Sequence, residues 1–108
     1  MAGVLPVEGI FGNANGCRMY LSGEQSGDFQ LLTPDTFTSP EIGCDFEALE
    51  SADAVLFTVR SVCSPGGKQS VVVSDRGLDG YSVTLGGTAH GPFKACPVTS
   101  IDGPEIQL

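Results

Sequence analysis

Between two of its four cysteines the chain reads Cys44-Asp45-Phe46-Glu47-Ala48-Leu49-Glu50-Ser51-Ala52-Asp53-Ala54-Val55-Leu56-Phe57-Thr58-Val59-Arg60-Ser61-Val62-Cys63. Cys44 to Ala48 alternates apolar and acidic side chains, the period of a strand with one face buried. Glu50-Ser51-Ala52-Asp53 is polar and turn-like, and Val55 to Cys63 is rich in β-branched residues. A hairpin centred near Asp53-Ala54 sets Cys44 opposite Cys63, Phe46 opposite Ser61 and Ala48 opposite Val59. All six then share one face, because a one-residue slip would turn every side chain over.

That register chooses among the three ways of pairing four cysteines. A Cys44–Cys63 bond crosses the hairpin, and Cys17 and Cys96 remain to join the two ends of the domain. No C-x-x-C knuckle of a zinc or redox motif is present. Two disulfides point to the periplasm, secretion or another oxidising space. Zinc held by four distant thiolates and four buried reduced thiols are the alternatives. On chain entropy the shorter loop is worth about 3 kcal/mol and the longer between about 4 and 5.

Working outward from the hairpin, strands recur about every ten residues, separated by turn chemistry. Val7–Gly12 reads as a first strand, and Asn13 caps a short helical turn over residues 14–21. Ser22 to Gly27 is a polar loop. Phe29–Thr33 is a second strand, and Thr36–Thr38 a short edge piece before Ser39-Pro40. Beyond the Ser64-Pro65-Gly66-Gly67 turn come Gln69–Ser74, Tyr81–Leu85 and Gly91–Cys96, parted by Asp79-Gly80 and Gly86-Gly87. The expected fold is all-β: an antiparallel meander of seven to eight short strands curled into a small barrel or open sandwich. One domain fills residues 1–96 and an extended or mobile tail residues 97–108. Phe11, Phe29, Phe46, Phe57 and Phe93 are the candidate filling of the interior.

Composition excludes several functions. Thirteen acids against five bases give a formal charge of −8, which repels nucleic acid and anionic lipid. Arg18, Arg60, Lys68, Arg76 and Lys94 are scattered, so no basic stripe tracks a phosphate backbone. No run of about 18 apolar residues is present to span a membrane. The start Met1-Ala2-Gly3-Val4-Leu5-Pro6 is too short for a secretory leader, so the leader of an exported protein is expected to have been removed.

The order Glu8-Gly9-Ile10-Phe11-Gly12, Cys17, Leu32-Thr33-Pro34, Cys44-Asp45-Phe46, Cys63 and Phe93-Lys94-Ala95-Cys96-Pro97 resembles a group of small exported four-cysteine β-proteins of alphaproteobacteria. Phe11 stands where many of that group carry Trp, a departure that bears on packing. The resemblance covers about residues 7–97 and implies a periplasmic home. It implies no activity, and no functional residue carries over from it.

The candidate sites are sparse. His90, the one histidine, lies in a Gly-Thr-Ala-His-Gly-Pro stretch read as an exposed loop, with neither a metal-site partner nor a nucleophile motif beside it. Oxidised cysteines are not nucleophiles. Asp45, Glu47, Glu50 and Asp53 gather on the hairpin, with Asp45 and Glu47 opposite in facing to Phe46. They form a solvated acidic face without the spacing of a calcium loop. The expectation is a non-enzymatic protein without a cofactor, presenting that face to a basic protein partner. A small-ligand carrier using the barrel interior and an inhibitor of a cationic envelope hydrolase such as lysozyme are the alternatives.

Overall fold

The computed structural model describes residues 3–7, 9–23 and 27–96. The expected tail at 97–108 lies outside them, as does the middle of the 22–27 loop. The elements are β1 (Phe11–Gly12), α1 (Ala14–Ser22), β2 (Leu31–Leu32), β3 (Thr36–Thr38), β4 (Gly43–Ala52), β5 (Leu56–Ser64), β6 (Gly67–Asp75), a 3-10 turn (Gly77–Asp79), β7 (Tyr81–Leu85) and β8 (Thr88–Ala95). The eight strands pair in sequence order, all antiparallel, and β1 closes on β8 through Phe11 opposite Ala95 and Gly12 opposite Lys94. The meander is therefore a closed barrel, with every strand paired on both sides over at least part of its length.

Both expected disulfides form. Cys44 faces Cys63 with Cα atoms 4.0 Å apart, and Cys17 joins Cys96 with Cα atoms 5.2 Å apart. The second tie links α1 to the residue after the last strand, across 79 positions of sequence. Helix α1 also forms where the Asn13 cap placed it. Asn13 Oδ1 accepts from the Gly16 N–H at 2.7 Å, and the left-handed Gly23 ends the helix by donating to the Met19 carbonyl. The same Asn13 oxygen accepts from the Gln30 N–H at 2.9 Å, and its amide donates to the Asp28 carbonyl. One side chain thus fixes both the helix start and the approach to β2. A Cβ on Gly16 would lie 2.0 Å from the Gln30 carbonyl oxygen, so only glycine allows that contact.

Several expectations are corrected. The first strand keeps ladder pairing only at Phe11 and Gly12, because Leu5 and Val7 turn into the core instead. The Leu5 N–H donates to the Pro34 carbonyl at 2.9 Å, which seats residues 3–7 at the end of the barrel carrying the β2–β3 turn. Thr36–Thr38 is not an edge piece. It pairs with β2 and β4 on its two sides, and its Phe37 is fully buried against Phe93. Phe37 therefore replaces Phe57 among the large core side chains, since Phe57 is only half-buried.

The hairpin register holds at Cys44–Cys63 and Phe46–Ser61 and then shifts. Ala48 faces Arg60 rather than Val59, Leu49 faces Val59, and Ser51 faces Thr58. Two β-bulges cause this, each adding one residue to β4, at Glu47 and at Glu50. They also carry β4 through the expected turn at Glu50–Asp53, as far as Ala52. The interior is closed by side chains: Leu32, Phe37, Val59, Val71, Val73, Val83 and Phe93 are all sealed from solvent.

Candidate functional site

The bulges change the pairing of β4 in the stretch that carries Glu47 and Glu50. Simple alternation from Cys44 and Phe46 would put Ala48 and then Glu50 on the inner face. The first bulge shifts the pairing after Phe46, so Leu49 rather than Ala48 stands opposite Val59, while Leu49 itself stays 38% exposed and Glu50 is exposed beside it. The second sets Ser51 opposite Thr58 and exposed Ala52 opposite Phe57. Asp45, Glu47 and Glu50 are exposed along the outer flank, and exposed Asp53 continues it into the turn. All four acids of the expected face are thus open to solvent. Arg60 and Lys68 are the exposed bases on the adjoining strands, and Glu50 accepts a hydrogen bond from the Ser70 hydroxyl at 2.8 Å.

This flank is also a strand margin. β3 pairs with β4 only from Gly43 to Asp45, and the Phe46 N–H donates to the Asp35 carbonyl. Among the described residues no strand pairs with β4 beyond Asp45 on that side. Bulges and charged side chains are the usual means of keeping such a margin from pairing with another chain. Glu47 and Glu50 supply both.

The β4–β5 turn crowns the same end of the barrel. Asp53 N–H donates to the Leu56 carbonyl, and Asp75 N–H to the Val55 carbonyl, both at 2.7 Å. These bonds tie the turn to the close of β6, from which the Gly77–Asp79 turn projects. Leu78 on that turn is 99% exposed, and Val55, Leu56 and Leu49 are 53%, 43% and 38% exposed. The sequence reading missed this apolar tip. Its one signal was a leucine inside the turn chemistry of Arg76-Gly77-Leu78-Asp79-Gly80. Asp75 also faces Tyr81 across β6 and β7, and Tyr81 packs edge-on against Phe11. Burial, and then the Asp75 carboxylate, raise the Tyr81 phenol above its ordinary 10.0.

At the opposite end His90 is not in an exposed loop. It lies in β8 facing Val83, half-buried, with its ring 5.7 Å from Phe37 and its Nδ1 3.4 Å from Gln30 Nε2. β8 begins at Thr88 rather than Gly91, which draws His90 into the ladder. A cavity of about 260 Å³ opens beside it, lined by Glu41, Gln69, Leu85 and Thr88 among others. That is smaller than the usual ligand pocket of about 300–1,000 Å³. The buried polar side chains among the described residues are Ser39 and Ser61. Among the described residues no three His, Cys, Asp or Glu side chains gather as metal ligands, and no helix is long and apolar enough to cross a membrane.

No family model matches the chain, no curated protein matches it in sequence, and no solved structure matches its fold.

Proposed function

We propose that this chain is a non-enzymatic binding domain of an oxidising, extracytoplasmic space, and that it contacts a basic protein through the acidic flank of β4. The observation that carries this reading is the exposure of all four acids, Asp45, Glu47 and Glu50 on β4 and Asp53 in the turn that follows it. Two disulfides support the compartment. The filled interior turns the reading away from a carrier of small ligands and toward surface contact. Charge of one sign on a surface speeds encounter with an opposite partner and makes the complex salt-sensitive.

The test is retention of cationic proteins, lysozyme among them as a cationic hydrolase, on the immobilised full chain at low and high salt. Acidic proteins of similar size are the controls. Retention of a cationic protein at low salt, its release by salt, and its loss in D45N/E47Q/E50Q/D53N are expected. A quadruple variant that retains the same proteins as strongly as the parent overturns the assignment of the flank. Failure of every cationic protein to bind at low salt overturns the reading as a whole.

A further inference from the structure

Large apolar side chains left in water are unremarkable when scattered and informative when gathered. Among the described residues six are exposed: Tyr20, Leu49, Val55, Leu56, Val62 and Leu78. Four of these, Leu49, Val55, Leu56 and Leu78, stand at the end of the barrel that the β4–β5 turn and the 3-10 turn share. Nothing in folding the barrel needs Leu78 there, since at 99% exposure it buries no surface of its own. The turn beneath it is nonetheless well held. Asp75 Oδ1 accepts from the Gly77 N–H, the Arg76 N–H donates to the Gly80 carbonyl, and the Gly80 N–H to the Gly77 carbonyl. A leucine presented on a braced turn loses little conformational freedom when a partner covers it.

The charges around this tip name the partner. Glu50, Asp53, Asp75 and Asp79 lie next to these apolar residues along the chain, against two bases, Arg76 and the exposed Lys94 whose backbone adjoins Gly80. A second copy of this chain would bring the same acids against them, and an anionic bilayer would be repelled. A surface carrying lysine or arginine around an apolar recess satisfies both features, the arrangement of an anchor residue within a polar rim.

We infer that this end of the barrel is a docking site for a basic protein surface with an apolar recess, into which Leu78 inserts while Leu49, Val55 and Leu56 form the bed around it. The inference rests on the function proposed above and narrows it from the whole acidic flank to one anchored contact.

The experiment selects binders to the immobilised full chain from a phage-displayed library of random linear and looped peptides. Peptides combining several Lys or Arg with a large apolar residue are the expected product. Their affinity should fall at least about tenfold in L78S, stay near that of the parent in L78M, and fall again in V55S/L56S. In each variant the salt dependence should persist, since the acids are intact. L78S alters no buried surface, so it carries the test even if V55S/L56S fails to fold. Basic peptides that bind L78S and V55S/L56S as tightly as the parent overturn the inference and leave the acidic-flank reading standing. Selected peptides without basic residues, or no selection at all, overturn both. Dimerisation of the chain, or binding to phosphatidylcholine vesicles, that is abolished by L78S assigns the tip to another occupant and also overturns the inference.

Discussion

The two halves of this barrel are built by different means. β4, β5 and β6 run for ten, nine and nine residues and hold each other by long ladders, whereas β1, β2 and β3 contribute only two, two and three. A ladder of two residues cannot hold a strand in place alone, and isolated pairs of strands are marginal even when longer. The short side is instead fixed by particular ties. These are the Cys17–Cys96 bond, the three side-chain hydrogen bonds of Asn13, the contact of Gly16 with Gln30, and Leu5 anchored over the β2–β3 turn. The lesson is that barrel closure depends on single side chains where the strands are short, and on distributed pairing where they are long.

The sharpest way to break this contrast is to remove each disulfide separately. Replacing Cys17 and Cys96 together by Ser should cost about 4.5 kcal/mol, against about 3 for Cys44 and Cys63, from the loop lengths of 79 and 19. Urea midpoints of the two double variants measure the difference. Equal losses would show that the long half depends on its staple as much as the short half does.

Next in size is the aromatic core. Phe37, fully buried on the three-residue β3, should cost about 4 kcal/mol as F37A, because its removal leaves a cavity against Phe93. Half-buried Phe57 on the long side should cost roughly half that in F57A. Denaturant unfolding again reads the pair, and a reversed order would contradict the account of the short side.

A smaller loss, about 2 kcal/mol, is expected for G16A, whose methyl would meet the Gln30 carbonyl oxygen. G43A on the long side meets nothing within 4 Å and should stay within about 0.5 kcal/mol of the parent. Thermal unfolding of both variants checks this.

The least effect concerns Tyr81, where the long side meets β1. Its phenol is raised in the folded protein, so the neutral form is the one folding favours. The associated stability is fully present below pH about 10 and is lost as pH rises through the folded value. In a Y20F background, tyrosinate absorbance should report a midpoint above 10.0 that moves down, though not fully, in D75N. It falls only partly because burial, the larger cause, remains. A midpoint unmoved by D75N would remove Asp75 from the account.

What could be read in the amino-acid order follows the same division. Cys44, Phe46, Ser61 and Cys63 obey strict alternation over a short span, so their pairing and the hairpin disulfide were legible. The Cys17–Cys96 closure followed by elimination, and Asn13 announced its helix through a local hydrogen-bond rule. Of the candidate site, the acidic residues were legible as exposed, because charge on an alternating strand goes to water. Glu50 was legible as exposed only as the first residue of an expected turn; that it lies within β4, at a bulge, was not derivable from period two.

Local periodicity thus determined the class, the hairpin, the cross-links and the sign of the surface, since each depends on residues near in sequence or on composition alone. Tertiary structure alone decided the two bulges, the burial of Leu5 and Phe37, the inward placement of His90 and the gathering of Leu78 with Val55 and Leu56. Each of these depends on how far one strand is staggered against another around a closed barrel, and that stagger is set by the packing of the whole interior rather than by any stretch of the chain.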